Sequence, residues 1–542
     1  MKTLLRRIIN TTNSINNNNL PHFLNYINTA SKSSNTTPEE QEQEQEQEQE
    51  QEKTAAAITT ICKSFPNNLN WKTLNQNLKS IDVTNPSIIN KVLIQLKDTS
   101  NAKKALSFFH WSSHFTNTTH QTQTYALVIH ILVKAKLIKD ASALIESVVN
   151  RSETSVDTLI HSFVSSYEVT DSSPFVFDLL IQICSKLRMI DEAIAACVCL
   201  GEHGFRLNVI SYNKLLHVIR KSDRTNLVWR VYEHMIEHRT YPNEKSVEIM
   251  INALGKEGKL QKFVDMMDRI EEKRCVPKVI VNACLVFGMI EEGRIEDGLV
   301  LLKRMLMKNM ILDTISCSLI VYGKIKLGEL DHAWKVYDEM LKRGFKANSF
   351  VHTAFIGAYC EAGKVGNGDE VFKDMERVGL QAYDETYTHM IVGCSKAGRV
   401  EESFNFCEEM VHNGFVPSCL AFNNVVERVN GHESVRRADG MLTLLLDKGF
   451  MPDANTYSYL IAGYGRRGDV EGVLKLYYEM EYRKLSPGVL VFTWLIVSLN
   501  RARRLEESER YLRTMKARSL VPLDYTYDAL ISNHVDQCQS CS

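Results

Sequence analysis

From residue 174 onward, apolar and polar positions recur with one fixed spacing. In the stretch beginning at Ala454, Tyr457, Leu460, Ile461 and Tyr464 stand at i, i+3, i+4 and i+7. That spacing is one buried face of a helix. Gly468 follows as a turn, and Val470, Val473, Leu474, Tyr477 and Met480 mark a second amphipathic helix. Pro487 then stops the chain from continuing helically. Ten such units begin at Pro174, Val209, Glu244, Val279, Thr314, Ser349, Asp384, Cys419, Ala454 and Val489, each 35 residues long, and the last ends at Leu523. A fixed period of this length predicts a solenoid of helical hairpins, none able to bury its apolar face alone.

The register is kept by residue type. Gly258, Gly293, Gly328, Gly363, Gly398 and Gly468 share one slot, and Pro242, Pro277, Pro417, Pro452, Pro487 and Pro522 another. Met235, Met305, Met340, Met375, Met410, Met480 and Met515 share a third, which reads as core filler. Upstream, the unit from Thr122 has Tyr125, Lys134 and Ala141 in register, and Asp157 to Ser173 is an insertion. Ser87 to His114 reads as a degenerate capping hairpin, and Asp524 to His534 restarts a first helix. The body is therefore expected to be all-α, with roughly 11–12 hairpins.

The second, fifth, ninth and thirteenth slots of each unit are spaced to share one face of the first helix, away from the core stripe. Thirteenth slots hold Lys186, Lys221, Lys256, Lys326, Lys396, Arg466 and Arg501, with Glu291, Glu361 and Gly431 as exceptions. Cations in register form a ridge suited to a phosphate backbone; the alternative is a solvated face without a ligand. Second slots hold Phe175, Ile210, Ile280, Ile315, Phe350, Leu420 and Leu490. These either sandwich bases or seal neighbouring repeats. Fifth slots are mostly small polar groups, among them Asp178, Asn213, Ser318, Thr353, Thr388, Asn423, Ser458 and Thr493, able to hydrogen-bond the edges of unpaired bases.

Stretches such as Thr386-Tyr387-Thr388, Gly393-Cys394-Ser395-Lys396-Ala397-Gly398-Arg399-Val400-Glu401-Glu402-Ser403, Glu408-Glu409-Met410 and Gly414-Phe415-Val416-Pro417 resemble the pentatricopeptide repeat family, over about residues 87–534. The unbroken 35-residue units resemble its P class, abundant in plant organelles. The resemblance implies a right-handed α-solenoid superhelix that binds single-stranded organellar RNA one base per repeat. It also implies that the fifth residue acts with the last of its repeat: Asp178 with Asn208, Asn213 with Asn243, Ser318 with Asn348, Thr388 with Ser418, and Asn423 with Asp453. By the family's pairing, Ser318/Asn348 favours adenine, Asn423/Asp453 uracil and Asn213/Asn243 a pyrimidine. Ala283/Asp313, Glu248/Lys278, Thr353/Tyr383, Ser458/Gly488 and Thr493/Leu523 depart from that pairing.

Charge changes this picture little until its placement is considered. The chain has 542 residues and a formal net charge of −1, which alone argues against a nucleic-acid binder. Residues 39–53 hold eight Glu against Lys53, while residues 1–38 hold four cations and no acid, so the body carries +2. A basic surface must come from register. The acid-free segment 1–38, with Leu4, Leu5, Ile8 and Ile9 on one helical face and Arg6 and Arg7 opposite, reads as a transit peptide, mitochondrial (matrix) rather than chloroplast. Residues 39–86 read as a Gln/Glu-rich spacer and flank, 87–173 as degenerate hairpins, and 524–542 as a partial repeat and tail.

Thirteen cysteines without a dense pattern read as free thiols of a reducing compartment, and no apolar run is long enough to span a bilayer. Some members of the resembled family carry C-terminal nuclease or deaminase domains; the 19 residues after Leu523 are too few for either. Cys538 and Cys541 form a Cys-x-x-Cys, but the chain has no His-x-Glu and no GxxxxGK[ST] loop. The expectation is a monomeric, non-catalytic protein without cofactor or metal. Its partners would be single-stranded organellar RNA and other RNA-processing factors. The alternative is a protein scaffold, such as a component of the mitochondrial ribosome.

Overall fold

The computed structural model describes Thr59 and residues 85–116, 119–150, 156–222, 224–429 and 432–527. The transit-peptide and spacer readings, the end of the restarted helix beyond 527, and Cys538 and Cys541 therefore fall outside the described residues. The described chain is a succession of α-helices joined by short turns, with one 3-10 turn at Thr99–Asn101. The described residues within Met1–Val264, Val276–Leu285 and Lys303–Met310 form one compact unit, and those within Asp265–Cys275, Val286–Leu302 and Ile311–Ser542 a second.

Within each unit the expected hairpins are present. The Ala454 repeat folds as helices Ala454–Arg466 and Val470–Tyr482, and the Ser349 repeat as Ser349–Glu361 and Val365–Arg377. Tyr457, Leu460, Ile461, Val473, Tyr477 and Met480 are buried between the two helices and their neighbours, as are all seven methionines of the stripe. The shared glycine slot is the turn between helices: Gly258, Gly293, Gly328, Gly363, Gly398 and Gly468 all have φ between +70° and +82°. A Cβ is disfavoured in that region. Arg188 and Arg503 occupy the same slot at φ of about +60° and accept its cost.

Five first helices start on the side chain of the residue before them, whereas those that follow Gln121, Pro174, Leu312, Tyr383 and Gly488 have no side-chain cap. Asn208, Asn243, Asn348, Ser418 and Asp453 each accept a hydrogen bond from the backbone N–H three residues on, supplying a partner to one of the amides a helix start leaves unpaired. These are the last slots of their repeats, so one residue closes a repeat and nucleates the next. One close approach of first helices is made where the side chain is absent: a Cβ on Gly393 would lie 2.6 Å from Cys360 Sγ on the preceding first helix.

Two places depart from the expected regularity. The insertion is itself a helix, Val156–Thr170, whose buried Leu159, Phe163, Ser166 and Thr170 keep helical spacing and face helix Thr122–Lys134. His130 Nε2 donates to Phe163 O across that contact at 2.9 Å. In the Cys419 repeat the first helix stops at Glu427, after nine residues. The ten described cysteines are all free thiols, seven of them buried. No helix among the described residues is long and apolar enough to cross a membrane.

Burial lowers the pKa of five of the described histidines, two of them far below the ordinary value. His130 is lowered to about 4 by desolvation, against the raising effect of its bond to Phe163 O. His234, also near 4, is lowered by burial and then by His238, whose ring stacks on it at 4.0 Å. Folded pKa values below the unfolded value mean that the unfolded chain takes up these protons first. Stability is therefore unaffected above about pH 6.5 and falls as pH drops from there to about 4. Urea unfolding at stepped pH should show this loss, and His130→Gln should flatten it if the fold is retained.

Candidate nucleic-acid interface

The polar slots converge at the seam between first helices. In the Val209 repeat, Asn213 Nδ2 donates to Asn243 Oδ1 at 3.1 Å, and Ser246 Oγ of the next helix donates to Asn213 Oδ1 at 2.6 Å. The Cys419 repeat repeats the motif: Asn423 Nδ2 to Asp453 Oδ1 at 3.0 Å and Thr456 Oγ1 to Asn423 Oδ1 at 2.8 Å. Asp178 accepts from Asn208 N at 2.8 Å and Ser211 Oγ at 2.7 Å. The fifth and last slots thus meet physically, 30 residues apart, in Asp178/Asn208, Asn213/Asn243, Ser318/Asn348 and Asn423/Asp453. Thr388 and Ser418 are used locally, Thr388 donating to Asp384 O and Ser418 capping at Ala421 N.

Sequence reasoning missed the third slot. Ser211, Ser246, Thr386, Thr456 and Thr526 each hydrogen-bond a fifth-slot side chain of the preceding repeat. The signal was present, since a hydroxyl three residues past Asn or Asp is a capping pattern. The carboxylates of the seam differ. Burial raises Asp178 and outweighs its hydrogen bonds from Asn208 and Ser211. Burial also opposes ionisation of Asp453, but bonds from Thr456 N, Asn423 and the Thr456 hydroxyl prevail and hold it below the usual range.

The expectation that all these slots face solvent needs correction. Among the fifth slots, Asp178, Asn213, Ser318, Thr353, Asn423 and Thr493 are all at most 8% exposed; Ser318 is fully buried beside Asn348, and its Oγ turns back to Thr314 O. The second slots divide. Ile210 and Leu420 are 61% and 70% exposed and Phe175 and Leu490 about half that, whereas Ile280, Ile315 and Phe350 are at most 6% exposed. Phe350 packs against Tyr322 and Phe287, ring centroids 5.3 and 6.3 Å away. These three residues are sealed in the packing and do not present a face for a base.

The thirteenth-slot cations lie at the surface, but not as an unbroken ridge. Lys221, Lys396 and Arg466 are exposed, and Lys256 Nζ donates to Ser222 O at 3.1 Å. Lys186 is paired with Glu146, Arg501 with Tyr525 Oη, and Lys326 with Glu291 at 3.1 Å. Glu291, one of the exceptions in the cation series, therefore neutralises its neighbour. Gly431 lies outside the described residues.

In the first unit these slots open onto one groove of about 650 Å³. Lys186, Ile210, Asn213, Asn243 and Lys245 line it together with Gln182, Lys214 and His217. Lys214 Nζ donates to Gln182 Oε1 at 2.6 Å, and Gln182 Nε2 to Ser211 Oγ at 3.0 Å, which ties the groove wall to the seam. Three lysines against Glu146 give the groove a positive field. Desolvation and then Lys221, Arg220 and Lys245 lower the His217 pKa, so its imidazole is neutral near pH 7. Among the described residues no cluster of three or more His, Cys, Asp or Glu is placed to hold a metal ion. Lys245→Ala should move the His217 titration up toward its ordinary value, followed through its ring proton shifts by NMR; an unmoved curve would leave the lowering to burial, Lys221 and Arg220.

Comparison with known proteins agrees with this reading of the repeats. A PPR repeat family model matches residues 207–256 and 312–360, and a PPR repeat model matches 246–275, 350–380, 385–415 and 455–485. A pentatricopeptide repeat-containing protein of Arabidopsis thaliana, described as mitochondrial, is 47% identical over 213 residues, 39% of each chain. A second mitochondrial one from the same plant is 27% identical over 170 residues, 31% of this chain and 26% of that protein. The match thus spans well under half the length of these relatives. Among solved structures, the crystal structure of pentatricopeptide repeat protein PPR10 in complex with an 18-nt psaJ RNA element aligns over 89% of this chain and 91% of that one, at 15% identity and a TM-score of 0.32. With its 35-residue period, helical hairpins and six stretches matched by the repeat models, the chain belongs to the pentatricopeptide repeat family.

Proposed function

We propose that this chain is a P-class, sequence-preferring factor for single-stranded RNA, acting on mitochondrial transcripts in processing, stabilisation or group II intron splicing. It would act by occupancy rather than catalysis. The observation that carries the reading is the groove of the first unit. There an exposed apolar second slot (Ile210), a bonded polar pair (Asn213/Asn243) and lysines at its rim stand together. Such a surface offers a stacking face, a base-edge partner and phosphate neutralisation in one place, which is what an unpaired strand needs. The Asn423/Asp453 pair offers the same base-edge chemistry in the second unit. A scaffold role, as in a mitochondrial ribosome component, is favoured for the stretch where Ile280, Ile315 and Phe350 are sealed and Lys326 is neutralised.

Replacing Lys221, Lys256, Lys326 and Lys396 by Ala should weaken binding to every single strand. Each lost phosphate contact lowers the log–log salt slope by about 0.7; with Lys326 already held by Glu291, a fall of roughly 2 is expected. Unchanged affinity and slope in a folded variant would leave these lysines as a solvated face. The mitochondrial address rests on the acid-free segment 1–38 and on the relatives described as mitochondrial. A fusion of residues 1–60 to a fluorescent reporter should enter mitochondria, and a cytosolic or plastid-only signal would overturn it.

A further inference from the structure

We propose that the hydroxyl at the third slot of the following repeat, Ser246 for Asn213 and Thr456 for Asn423, is a positioning residue for base selection. This deepens the RNA-binding reading and rests on it. The amide of Asn423 is held at both ends. Its Nδ2 donates to Asp453 Oδ1 at 3.0 Å, and its Oδ1 accepts from Thr456 Oγ1 at 2.8 Å. Thr456 Oγ1 itself accepts from Asp453 N at 3.3 Å, and its proton lies between two acceptors, Asn423 Oδ1 and, at 3.0 Å, Asp453 Oδ1. Asp453 Oδ1 also accepts from Thr456 N at 2.8 Å, which fixes that atom beside the Asn423 amide.

Turning the amide over would set its oxygen against the Asp453 carboxylate, two acceptors in contact, and turn its N–H toward the hydroxyl, which would keep only Asp453 Oδ1 as acceptor. The orientation is therefore determined, and it commits the amide oxygen to the seam. The edge that Asn423 can offer a base is its remaining N–H, a donor. Beside it stands an ionised Asp453, whose second carboxylate oxygen is an acceptor. A donor beside an acceptor is the complement of a pyrimidine or purine edge that carries both, and the third-slot hydroxyl prevents the alternative.

The same five contacts recur at Asn213. Asn243 Oδ1 accepts from Asn213 Nδ2 and from Ser246 N, and Ser246 Oγ accepts from Asn243 N and donates to Asn213 Oδ1, with Asn243 Oδ1 also in reach at 3.0 Å. The two copies lie in different units, so the arrangement belongs to the repeat and not to one local environment. Other seams lack it. Val351 occupies the third slot after Ser318/Asn348, and Ala421 the slot after Thr388/Ser418. There no hydroxyl is available, and Ser318 and Thr388 bond instead to carbonyls of their own helices.

The test is selection from a randomised 20-nucleotide single-stranded RNA pool by the full chain, with the bound RNA sequenced. Thr456 is fully buried, so Thr456→Val keeps its shape and removes only the hydroxyl. The expected result is a loss of base preference of roughly threefold or more at one nucleotide, as one hydrogen bond is worth, with the other positions unchanged. Thr456→Ser should restore it. Ser246→Ala, with Ser246→Thr as its rescue, should do the same at a different nucleotide and serves if the first variant does not fold. A folded variant with an unchanged profile, or with a uniform loss at every position, would overturn the inference. If the unaltered chain enriches no sequence, the RNA-binding reading fails and this inference with it.

Discussion

The start of each first helix leaves amide donors that must find partners, and at five of them the last residue of the preceding repeat supplies one. Asn243 and Asp453 each cap the helix that follows while accepting from the fifth residue of the helix before. A hydroxyl on the third residue closes the cluster. One set of three side chains thus ends a repeat, begins the next and bonds the two together. Apolar burial supplies most of the attraction between hairpins, but it is indifferent to small rotations. The directional polar cluster is what sets how one first helix lies on another.

Stability and the proposed base reading therefore draw on the same atoms. The fifth-slot residues that a repeat would use to read a base are already bonded across the seam, and several are almost fully buried. Asn213 and Asn423 retain an edge because an amide has more bonding capacity than the seam consumes. Ser318 does not: with one hydroxyl proton, its bond to Thr314 O leaves only acceptance, and that goes to Asn348. The chemistry of the fifth residue thus decides whether a repeat has anything left to offer a ligand.

The apolar second slots show why position in a repeat is not enough. Ile210 and Leu420 stand exposed where Ile315 and Phe350 are sealed, although all four occupy the same slot. The difference comes from neighbours: Phe287 and Tyr322 are large ninth-slot side chains that fill the space beside Phe350. Where the ninth slot is Gln182 or His217, a groove remains open. A bulky ninth-slot residue on a preceding first helix converts a candidate stacking face into core.

The sequence by itself determined the hairpin, its period, the buried methionine stripe and the glycine turns, because each follows from spacing along a single helix or from one backbone angle. The pairing of fifth and last slots came from the family resemblance, and four of the five pairs named from it meet at a seam, whereas Thr388 and Ser418 bond locally. Tertiary structure alone decided which of those residues face a groove, that Asp157 to Ser173 would fold as a packed helix, and that Glu291 would cancel Lys326. Those outcomes depend on side chains a full repeat apart, whose sizes and charges combine only once the helices are stacked.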